Sequence, residues 1–538
     1  MNPQIEEDPL PIPSIAQPSG VRIPLFPHQL KSIEDMERLE QQQEIPLTTG
    51  LFLETRVGLL SDMPGYGKTL SILGLIDRSR QEEMPILFAD EKISAHPYVK
   101  MHRVEMHRMM RATLILVNVS LISQWMVELE RTTLRYTYVS KPSEVEDRDF
   151  STFDVVLVSN NVYNVFASVF KKTCWKRFVI DEPASFKLCM ESSHARFYWL
   201  ITGTPKELYL RRRTGFLNDL LPEQDAVDEF SYLIVQNEDQ LVKASYEMPQ
   251  THNVHYRCTD TIAHLFEGLL PDHVIEKMEA YHIAGVLADL MVDESQACSL
   301  IDVFREKKNK RLLDLRREST VMLPQQRLQE RIQQVETHRS LFEERLAKYL
   351  CLHTCLACRQ PVKDPTLMSC CQNIFCAGCI LLWCPLCRSV ESARFPVQAE
   401  IVYDAKEEFP DEVLASHRLP KCMQMMSIIG DARDKKILVF SNYNETFTLI
   451  KKSLDEAKLM YLELKGTKEK RDNTIDAYKT GQVNLLLLNT IHSGAGLNLQ
   501  ETTDIILFHR IHDYQKIQVI GRANRIGRKV PLHIHYLE

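Results

Sequence analysis

The strongest constraint in this 538-residue sequence is the glycine-rich segment Asp62–Thr69. An apolar stretch, Val57–Leu60, precedes it, and a helical pattern, Leu70–Ile76, follows it. A strand, a glycine-rich loop and a helix in this order let backbone N–H groups approach phosphate oxygens closely. We therefore predict a parallel α/β sheet with a nucleotide phosphate site at the end of one strand.

Two side chains of this loop have specific predicted roles. Lys68 is expected to neutralise the β- and γ-phosphates of ATP, and the hydroxyl of Thr69 is expected to bind Mg²⁺. Asp62 stands where the usual pattern has its first glycine, so the match is imperfect. A glycine-rich turn at a helix start is the alternative interpretation. The residues predicted to bind ATP here are Asp62, Met63, Pro64, Gly65, Tyr66, Gly67, Lys68 and Thr69.

Two later segments supply the partners that such a loop needs. The apolar run Phe178–Ile180 leads into Asp181 and Glu182, which suit an Mg²⁺ ligand and a group that orients or deprotonates the attacking water. The segment Leu200–Pro205 ends another apolar run with two threonines. Taken alone, each could be an ordinary loop after a strand. The three segments in this order favour a nucleotide site.

Arg522 and Arg525 stand three residues apart near the end of the chain. On a helix this spacing places both guanidinium groups on one face. An arginine directed at the γ-phosphate can contribute roughly 10³–10⁵ in rate to phosphoryl transfer. Two surface arginines are the alternative, and the upstream loop favours the catalytic interpretation.

Apolar strand-like runs fall into two groups along the chain. The first group comprises 112–117, 154–158 and 178–180, and the second comprises 436–440, 484–488 and 504–508. Buried runs separated by helices indicate parallel sheets covered on both faces. Between the groups, residues 301–350 have the pattern of a long amphipathic helix broken near Pro324. A solvated connecting helix is favoured over a partner-binding coiled coil.

Eight of the fourteen cysteines lie between residues 355 and 387. Thiols inside cells stay reduced, so a cluster of this kind indicates metal ligands rather than disulfides. Paired cysteines with two residues between them are typical of tetrahedral zinc sites, whereas a cluster of core cysteines would not form such pairs. The predicted zinc ligands are Cys355, Cys358, Cys370, Cys371, Cys376, Cys379, Cys384 and Cys387.

Residues 20–215 and 415–538 resemble the Swi/Snf-type ATPases of helicase superfamily two, with the motifs in the same order. The resemblance rests on Phe26–Gln29, 112–129, 436–442, 485–499 and 521–527. It implies two RecA-like lobes, ATP with Mg²⁺, and duplex DNA as partner. It also implies that Gln29 reads adenine and that Gln518 contacts the nucleotide. Candidate contacts to the DNA backbone are Ser123, Gln124 and Trp125.

The motifs depart from the family at two places. Met63 and Pro64 stand where the family usually has an acid and a methionine, and Pro183 and Ala184 follow Glu182 where a small residue and a histidine are usual. That histidine couples hydrolysis to bound DNA in relatives. The resemblance therefore supports Mg²⁺ binding and water activation more directly than coupling. These variants resemble helicase-like proteins of large DNA viruses.

The cysteine pattern resembles a RING finger, in which pairs one and three hold one zinc and pairs two and four hold the other. Site one would comprise Cys355, Cys358, Cys376 and Cys379, and site two would comprise Cys371, Cys384, Cys387 and a fourth ligand. Asn373 stands where the family has histidine, so Cys370 is the candidate substitute and His353 a remote one. Such folds recruit a ubiquitin-conjugating enzyme. Candidate groove residues are Ile380, Trp383, Pro385 and Arg388.

The predicted fold class is α/β, with two RecA-like parallel-sheet lobes, an inserted helical segment and a small zinc-binding RING-like domain. The predicted function is a DNA-dependent ATPase and translocase that remodels DNA or protein–DNA complexes, with a RING that ubiquitinates a bound target. The alternatives are a degenerate motor that serves as a DNA-docked scaffold and a motor with a merely structural RING. The expected domains are a leader 1–20, lobe one 21–215, a helical connection 216–350, the RING 351–392, a linker 393–415 and lobe two 416–538.

Charge and hydropathy limit the remaining function classes. The net charge of −7 gives no overall basic balance, although a motor needs only a local basic groove. No apolar run reaches the length of a membrane span, and the first residues lack the apolar core of a signal peptide. We therefore expect an intracellular, soluble protein with no membrane partner, in the nucleus or at a viral or cytoplasmic replication site.

Overall fold

Two compact units make up the chain. A computed structural model describes residues 13–42, 45–48, 51–96, 99–146, 148–186, 190–210, 215–221, 231–258, 262–292, 298–317, 325–390, 392–401, 419–430, 435–489 and 497–538. The first unit comprises Met1–Gln250, Gly494–Glu501 and His512–Pro531, and the second comprises Thr251–Ser493, Thr502–Ile511 and Leu532–Glu538.

The first unit is built on an eight-stranded sheet whose central strands are almost entirely buried. All five residues of Val155–Ser159 are buried, as a parallel strand covered on both faces requires. Seven strands are parallel, and Leu87–His96 alone runs antiparallel to its neighbour. Along the sheet the order is β10 (Ile234–Val235), β3 (Val57–Leu60), β9 (His194–Ile201), β8 (Thr173–Asp181), β5 (Val99–Val117), β7 (Val155–Ser159) and β6 (Tyr136–Val139), with β4 (Leu87–His96) beside β5.

Helices accompany this sheet. A two-stranded ribbon, β1 (Ile45–Thr48) with β2 (Leu51–Leu53), forms a separate sheet. The helix after the glycine-rich loop buries seven consecutive residues from Leu70 to Ile76, which explains its apolar composition. The helices of this unit are α1 (Pro27–Gln41), α2 (Lys68–Arg78), α3 (Ile122–Glu130), α4 (Ser143–Glu146), α5 (Tyr163–Val169), α6 (Pro205–Leu210), α7 (Phe216–Leu220), α8 (Asp239–Ser245) and α16 (Asp513–Ala523).

Strand β5 has 19 residues and two different sets of neighbours. Its first part, Val99–Arg108, pairs with β4 as an antiparallel ribbon. Its second part, from Thr113, lies between β7 and β8 in the parallel sheet. The β4–β5 ribbon therefore extends beyond the end of the sheet at which the parallel strands begin.

The second unit carries a six-stranded sheet in which every pairing is parallel. Strands β15 and β17 are buried along their whole length. The order is β11 (Thr251–Tyr256), β19 (Leu532–Leu537), β18 (Asp504–Leu507), β15 (Ile437–Ser441), β17 (Leu485–Asn489) and β16 (Leu462–Glu463). Two parallel α/β sheets confirm the predicted fold class.

The predicted helical connection 216–350 contains strands as well as helices. Its residues 234–235 pair with β3 of the first sheet, and residues 251–256 pair with β19 of the second. Both segments are short, and neither has the long apolar run from which strands are readily predicted. The break predicted at Pro324 lies outside the described residues. The helices of the second unit are α9 (Asp272–Glu279), α10 (Ile283–Asp289), α11 (Leu300–Arg317), α12 (Gln325–Leu352), α13 (Lys421–Ile429), α14 (Asn444–Glu456) and α15 (Lys468–Lys479).

The cysteine-rich segment forms a small antiparallel sheet within the second unit. Strand β12 (Pro365–Met368) lies between β13 (Ile374–Cys376) and β14 (Arg394–Pro396). Phe375 belongs to the same apolar cluster as Ile437 and Val439 of the second parallel sheet. We call residues 353–397 the cysteine module.

Three predictions, on the leader, the linker and membrane spans, can be compared only with the described residues. Most of the leader 1–20 and of the linker 393–415 lies outside them. Within the described part of the chain, no helix combines the length and the apolar character that crossing a membrane would need.

Candidate nucleotide site and cysteine clusters

The glycine-rich loop lies between the end of β3 and the start of α2, as predicted. Gly65 and Gly67 have φ angles of 93° and 83°, in the left-handed region that favours glycine. A Cβ at Gly67 would lie 2.2 Å from the side-chain nitrogen of Gln29. The loop can therefore carry a side chain at neither position without strain.

Lys68 is the first residue of α2, and its ammonium group lies over the loop. Nζ donates hydrogen bonds to the carbonyl oxygens of Asp62 at 2.7 Å and Met63 at 3.3 Å. Burial lowers the pKa of Lys68, while the nearby carboxylates of Glu182 and Asp181 oppose that shift. An anionic ligand at this position would favour the charged ammonium form.

Asp181 is the last residue of β8 and is buried, and Glu182, which follows it, is half-buried. Burial raises the pKa of Asp181 to about 6 and that of Glu182 to about 7, where the charge of Asp181 adds to the effect. Glu182 has a φ of 50°, uncommon for a residue with a side chain. A divalent cation would relieve the repulsion between the two carboxylates, so the pair has the chemistry of a Mg²⁺ site.

Trp125 does not have the exposure that the predicted DNA contact needs. Its side chain is 1% exposed, and its indole Nε1 donates a hydrogen bond to Asp181 at 2.7 Å. Ile122, Trp125 and Leu129 form the buried face of α3. The assignment of Trp125 to the DNA backbone was therefore wrong, because the apolar periodicity of the helix turns this residue inward.

The two predicted threonines follow the neighbouring strand β9. The N–H of Thr202 donates to the carbonyl of Leu60 at 3.1 Å, which ties this turn to the end of β3. The N–H of Thr204 donates to the hydroxyl of Thr202 at 3.1 Å. Both threonines are buried and lie one strand away from Asp181.

Arg522 and Arg525 belong to the first unit and lie close to the glycine-rich loop. Burial lowers the pKa of both to about 10, and Arg525 also contributes to the shift at Arg522. A Cβ at Gly65 would lie 2.8 Å from Cγ of Arg525. We call Lys68, Asp181, Glu182, Arg522 and Arg525 the phosphate cluster.

The helix that was expected to carry both arginines is shorter than predicted. Helix α16 ends at Ala523, so Arg522 lies in its last turn and Arg525 lies beyond it. Nε of Arg525 donates to the carbonyl of Gly521 at 3.0 Å, which satisfies an acceptor at the helix end. The two arginines are brought together by this turn and not by one helical face.

Pro64, one of the departures from the family pattern, is enclosed by two glycines. A Cβ at Gly203 would lie 2.7 Å from Cγ of Pro64, and one at Gly521 would lie 2.4 Å from its Cβ. The proline ring thus occupies space that side chains at these two positions would need.

Asp62 accepts hydrogen bonds from residues that no sequence pattern connects with the loop. Asn237 donates from its backbone N–H at 2.8 Å and from its amide at 2.9 Å to the two carboxylate oxygens. The hydroxyl of Ser32 donates to the same carboxylate at 3.0 Å. The side chain of Asp62 therefore fixes the loop to α1 and β10, while its carbonyl accepts from Lys68.

The other residues predicted to bind the nucleotide differ in their surroundings. Gln29 is buried, accepts from the N–H of Phe26 at 2.9 Å and donates to the carbonyl of Gly67 at 3.3 Å. The carbonyl of Tyr66 pairs with Nε2 of the buried His28 at 3.0 Å. The half-buried residues are Met63, Tyr66, Thr69 and Gln518.

The eight cysteines of the module form two clusters of four. Cys355, Cys358, Cys376 and Cys379 make one cluster, in which all four sulfurs lie within 4.8 Å of one another. Cys370, Cys371, Cys384 and Cys387 make the second by the same measure. Both clusters are compatible with zinc, and Cys370 completes the second one, as the sequence had allowed.

Asn373 is not a ligand, as its side-chain chemistry predicted, whereas the remote ligand candidate His353 and the groove residue Ile380 are not where the sequence placed them. Asn373 is 1% exposed and belongs to neither cluster. His353 pairs with the hydroxyl of Tyr349 at 3.1 Å, and burial lowers its pKa to about 4. Ile380 is buried in the module's core, because its side chain packs inward, and so cannot line a surface groove.

An exposed apolar run follows Ile380 on the surface of the module. Leu381 is 73% exposed, Leu382 71% and Trp383 45%. Large apolar side chains that are contiguous and exposed indicate a contact surface more often than chance placement.

Two family models match this chain. The SNF2-related domain matches residues 28–231, and the helicase conserved C-terminal domain matches residues 420–527. Together they cover more than half of the sequence. A glycine-rich loop on one parallel sheet, with a second parallel sheet in the same chain, is the build of two-lobed helicase-like proteins. The chain belongs to the SNF2-type family of helicase-like ATPases.

Three similar proteins span this chain to different extents. The candidate helicase R592 of Acanthamoeba polyphaga mimivirus is 24% identical over 98% of this chain and 76% of its own length. The DNA repair protein RAD5B of Arabidopsis thaliana is 24% identical, over 88% of this chain and 43% of its own length. The E3 ubiquitin-protein ligase SHPRH of Homo sapiens is 25% identical, over 34% of this chain and 12% of its own length.

Proposed function

We propose that this chain is a DNA-dependent ATPase that translocates on duplex DNA and remodels protein–DNA complexes. The observation that carries the proposal is the phosphate cluster, in which one ammonium, two carboxylates and two guanidinium groups lie, buried or half-buried, beside a glycine-rich loop. Strongly shifted pKa values at a buried cluster are typical of functional sites. A polyanionic nucleotide with a divalent cation balances this set of charges.

Each member of the cluster has a proposed role in hydrolysis. Lys68 and the loop N–H groups bind the phosphates, and Thr69 with Asp181 holds Mg²⁺, which when bound neutralises the phosphate oxygens. Glu182, with a pKa of about 7, accepts a proton from the attacking water. Arg522 and Arg525 stabilise the charge that develops on the γ-phosphate.

Replacing the loop lysine tests the ATPase directly. Lys68→Ala is expected to lower DNA-stimulated ATP hydrolysis by at least about 100-fold, since it removes the cation that binds the phosphates. Lys141→Ala, which changes an exposed lysine of the same unit, is the matched control. Equal turnover in wild type and Lys68→Ala would contradict the proposal.

A specific departure from the family supports a second candidate, a DNA-docked scaffold with little coupled hydrolysis. Pro183 and Ala184 follow Glu182, where relatives have the residues that couple DNA to hydrolysis. If purified protein binds duplex DNA and hydrolyses ATP at one rate with and without it, the scaffold is favoured over the motor.

We propose that the cysteine module is a RING-type zinc finger with two zinc ions that recruits a ubiquitin-conjugating enzyme. Four sulfurs in each cluster suit tetrahedral zinc, which when bound cross-links the module. The exposed side chains of Leu381, Leu382 and Trp383 supply the apolar contact surface. The relative SHPRH is named as a ubiquitin ligase, which favours this proposal over a merely structural zinc module.

A ubiquitin-chain assay separates a ligase from a structural module. Wild type should form chains with at least one of a broad set of conjugating enzymes, while Cys355→Ser and Trp383→Ala should not. Met291→Ala, at an apolar side chain that is 92% exposed and lies outside the module, should leave chain formation unchanged. Absence of chains with wild type would favour the structural alternative.

A further inference from the structure

A carboxylate and two imidazoles converge where the parallel strands of the first sheet begin. One ligand atom each from Glu105, His107 and His194 lies within 4.8 Å of the others. The rings of His107 and His194 are stacked, with centroids 3.9 Å apart. His194 begins β9, and Thr202 follows the last residue of that strand, Ile201. From His194 to Ile201 the strand advances by seven residue steps, or roughly 23 Å. This group therefore lies away from the phosphate cluster.

Two strands supply these three residues, and strand β8 lies between those two strands. Glu105 and His107 stand two apart on β5, so their side chains leave the strand on the same face. His194 comes from β9, which lies on the far side of β8 from β5. Strand β8 begins at Thr173, which pairs with Arg108, so His107 lies one residue before the part of β5 that pairs with β8. His194 pairs with Cys174, the second residue of β8, so the two histidines approach each other near the start of that strand.

His107 carries polar atoms whose demands are not met within the described part of the protein. Its side chain is 4% exposed, and neither Nδ1 nor Nε2 has a hydrogen-bond partner there. Buried polar groups are nearly always paired, since an unpaired one loses its bonds to water without compensation. If the two histidines only packed against each other, both ring nitrogens of His107 would stay without a partner. A metal ion bound by one of these nitrogens would give that nitrogen a partner.

We propose that Glu105, His107 and His194 bind one divalent first-row transition-metal ion. Two imidazole nitrogens and one carboxylate oxygen form a ligand set typical of Zn²⁺ and of its neighbours in the first row. Glu105 and His194 are half-buried, so water can complete the coordination. The ion would cross-link the β4–β5 ribbon to β9 and so fix the base of this projection. The site is independent of the proposed ATPase and of the cysteine clusters.

Zinc stoichiometry tests this site on the full-length protein. After dialysis against a zinc buffer, wild type should retain one more zinc per chain than His107→Phe or His194→Ala. Added Zn²⁺ should also raise the melting temperature of wild type more than that of either variant, because a ligand that binds only the folded state stabilises it. His252→Phe removes one ring of another stacked pair, His252 with His533, and should behave as wild type.

Glu105→Gln provides a second, milder variant, because the side chain is half-buried and keeps its size. It should weaken zinc binding at this site by at least about tenfold. Equal zinc content in wild type and the histidine variants would overturn the proposal. So would a zinc affinity in Glu105→Gln equal to that of wild type, even if the histidine variants failed to fold.

Discussion

The phosphate cluster and the cysteine clusters differ in what keeps their polar groups in place. In the first, bonds made within the protein already fix the geometry: Lys68 donates to loop carbonyls, and Trp125 donates to Asp181. In the second, the sulfurs have one another and a few backbone N–H groups, such as that of Lys363, which donates to Cys376 at 3.2 Å. Thiols at such distances gain little from each other without a cation.

This difference separates a preorganised site from one that depends on its ligand. The phosphate cluster sits on strand ends of a large apolar sheet, so its geometry should survive without nucleotide. The cysteine module has three short strands, and small domains of this size usually need a metal or disulfides to fold. Removal of each ligand should therefore have opposite consequences in the two regions.

The largest expected effect is the loss of the module's structure when its metal is removed. Structural zinc contributes about 10–16 kcal/mol to folding such a module. A strong zinc chelator, or Cys355→Ser, should make residues 353–397 sensitive to limited proteolysis while nucleotide binding by the first unit persists. Cys351→Ser, at an exposed cysteine outside both clusters, is the control. A protease-resistant module after chelation would contradict the comparison.

Removing the proposed general base should abolish activity without unfolding the preorganised site. Glu182→Gln is expected to lower ATP hydrolysis by about 10²–10⁴-fold, the usual contribution of a general base. Its stability should equal or exceed that of wild type, because a buried carboxylate beside Asp181 is removed. Turnover and thermal melting of the same preparation measure both. A large fall in melting temperature would show that Glu182 holds the fold.

The acid pair also predicts how stability depends on pH in the protein without Mg²⁺ and nucleotide. Both pKa values are raised on folding, so the folded state binds protons more tightly than the unfolded chain between roughly pH 4.5 and 7. Stability should therefore fall as pH rises through this window. For Glu182 the rise from 4.5 to about 7 corresponds to about 3 kcal/mol.

Urea unfolding at pH 5 and pH 8 measures this dependence. Glu182→Gln should flatten the slope, and Mg²⁺ with a nucleotide should reduce it in wild type, since both relieve the buried negative charge. A slope that is identical in wild type and Glu182→Gln would show that other groups cause it.

The smallest effect separates two asparagines, the half-buried Asn237 beside the glycine-rich loop and the buried Asn373 in the module. Asn237→Ala removes hydrogen bonds to the buried carboxylate of Asp62 and should cost about 1–3 kcal/mol. Asn373 in the module is buried, and its amide has no hydrogen-bond partner among the described residues. Asn373→Leu should be neutral or stabilising by urea unfolding. Equal losses of unfolding free energy in the two variants would contradict this difference between the two asparagines.

What could be predicted from the sequence depended on whether the signal was local. Cysteine pairs with two residues between them predicted the clusters, and continuous apolar runs predicted the central strands of both sheets, including three of the six strands of the second. The inward orientation of Trp125 was also readable, because it shares the spacing of Ile122 and Leu129 on one helix face.

The remaining contacts join residues far apart in the chain and left no local trace. Asn237 bonds to Asp62 across 175 positions, and an asparagine in a loop has many ordinary explanations. The two-residue strand Ile234–Val235 exists only because β3 offers it an edge. The convergence of His107 with His194 likewise follows from where β8 begins, which no periodicity of the sequence reveals.

The most direct test of the central claim is the ATPase rate measured side by side without nucleic acid, with single-stranded DNA, with duplex DNA and with RNA. Lys68→Ala serves as the blank in each condition. A DNA-dependent motor should hydrolyse ATP fastest with duplex DNA, and that stimulation should be absent from Lys68→Ala. Equal wild-type rates in all four conditions would contradict it.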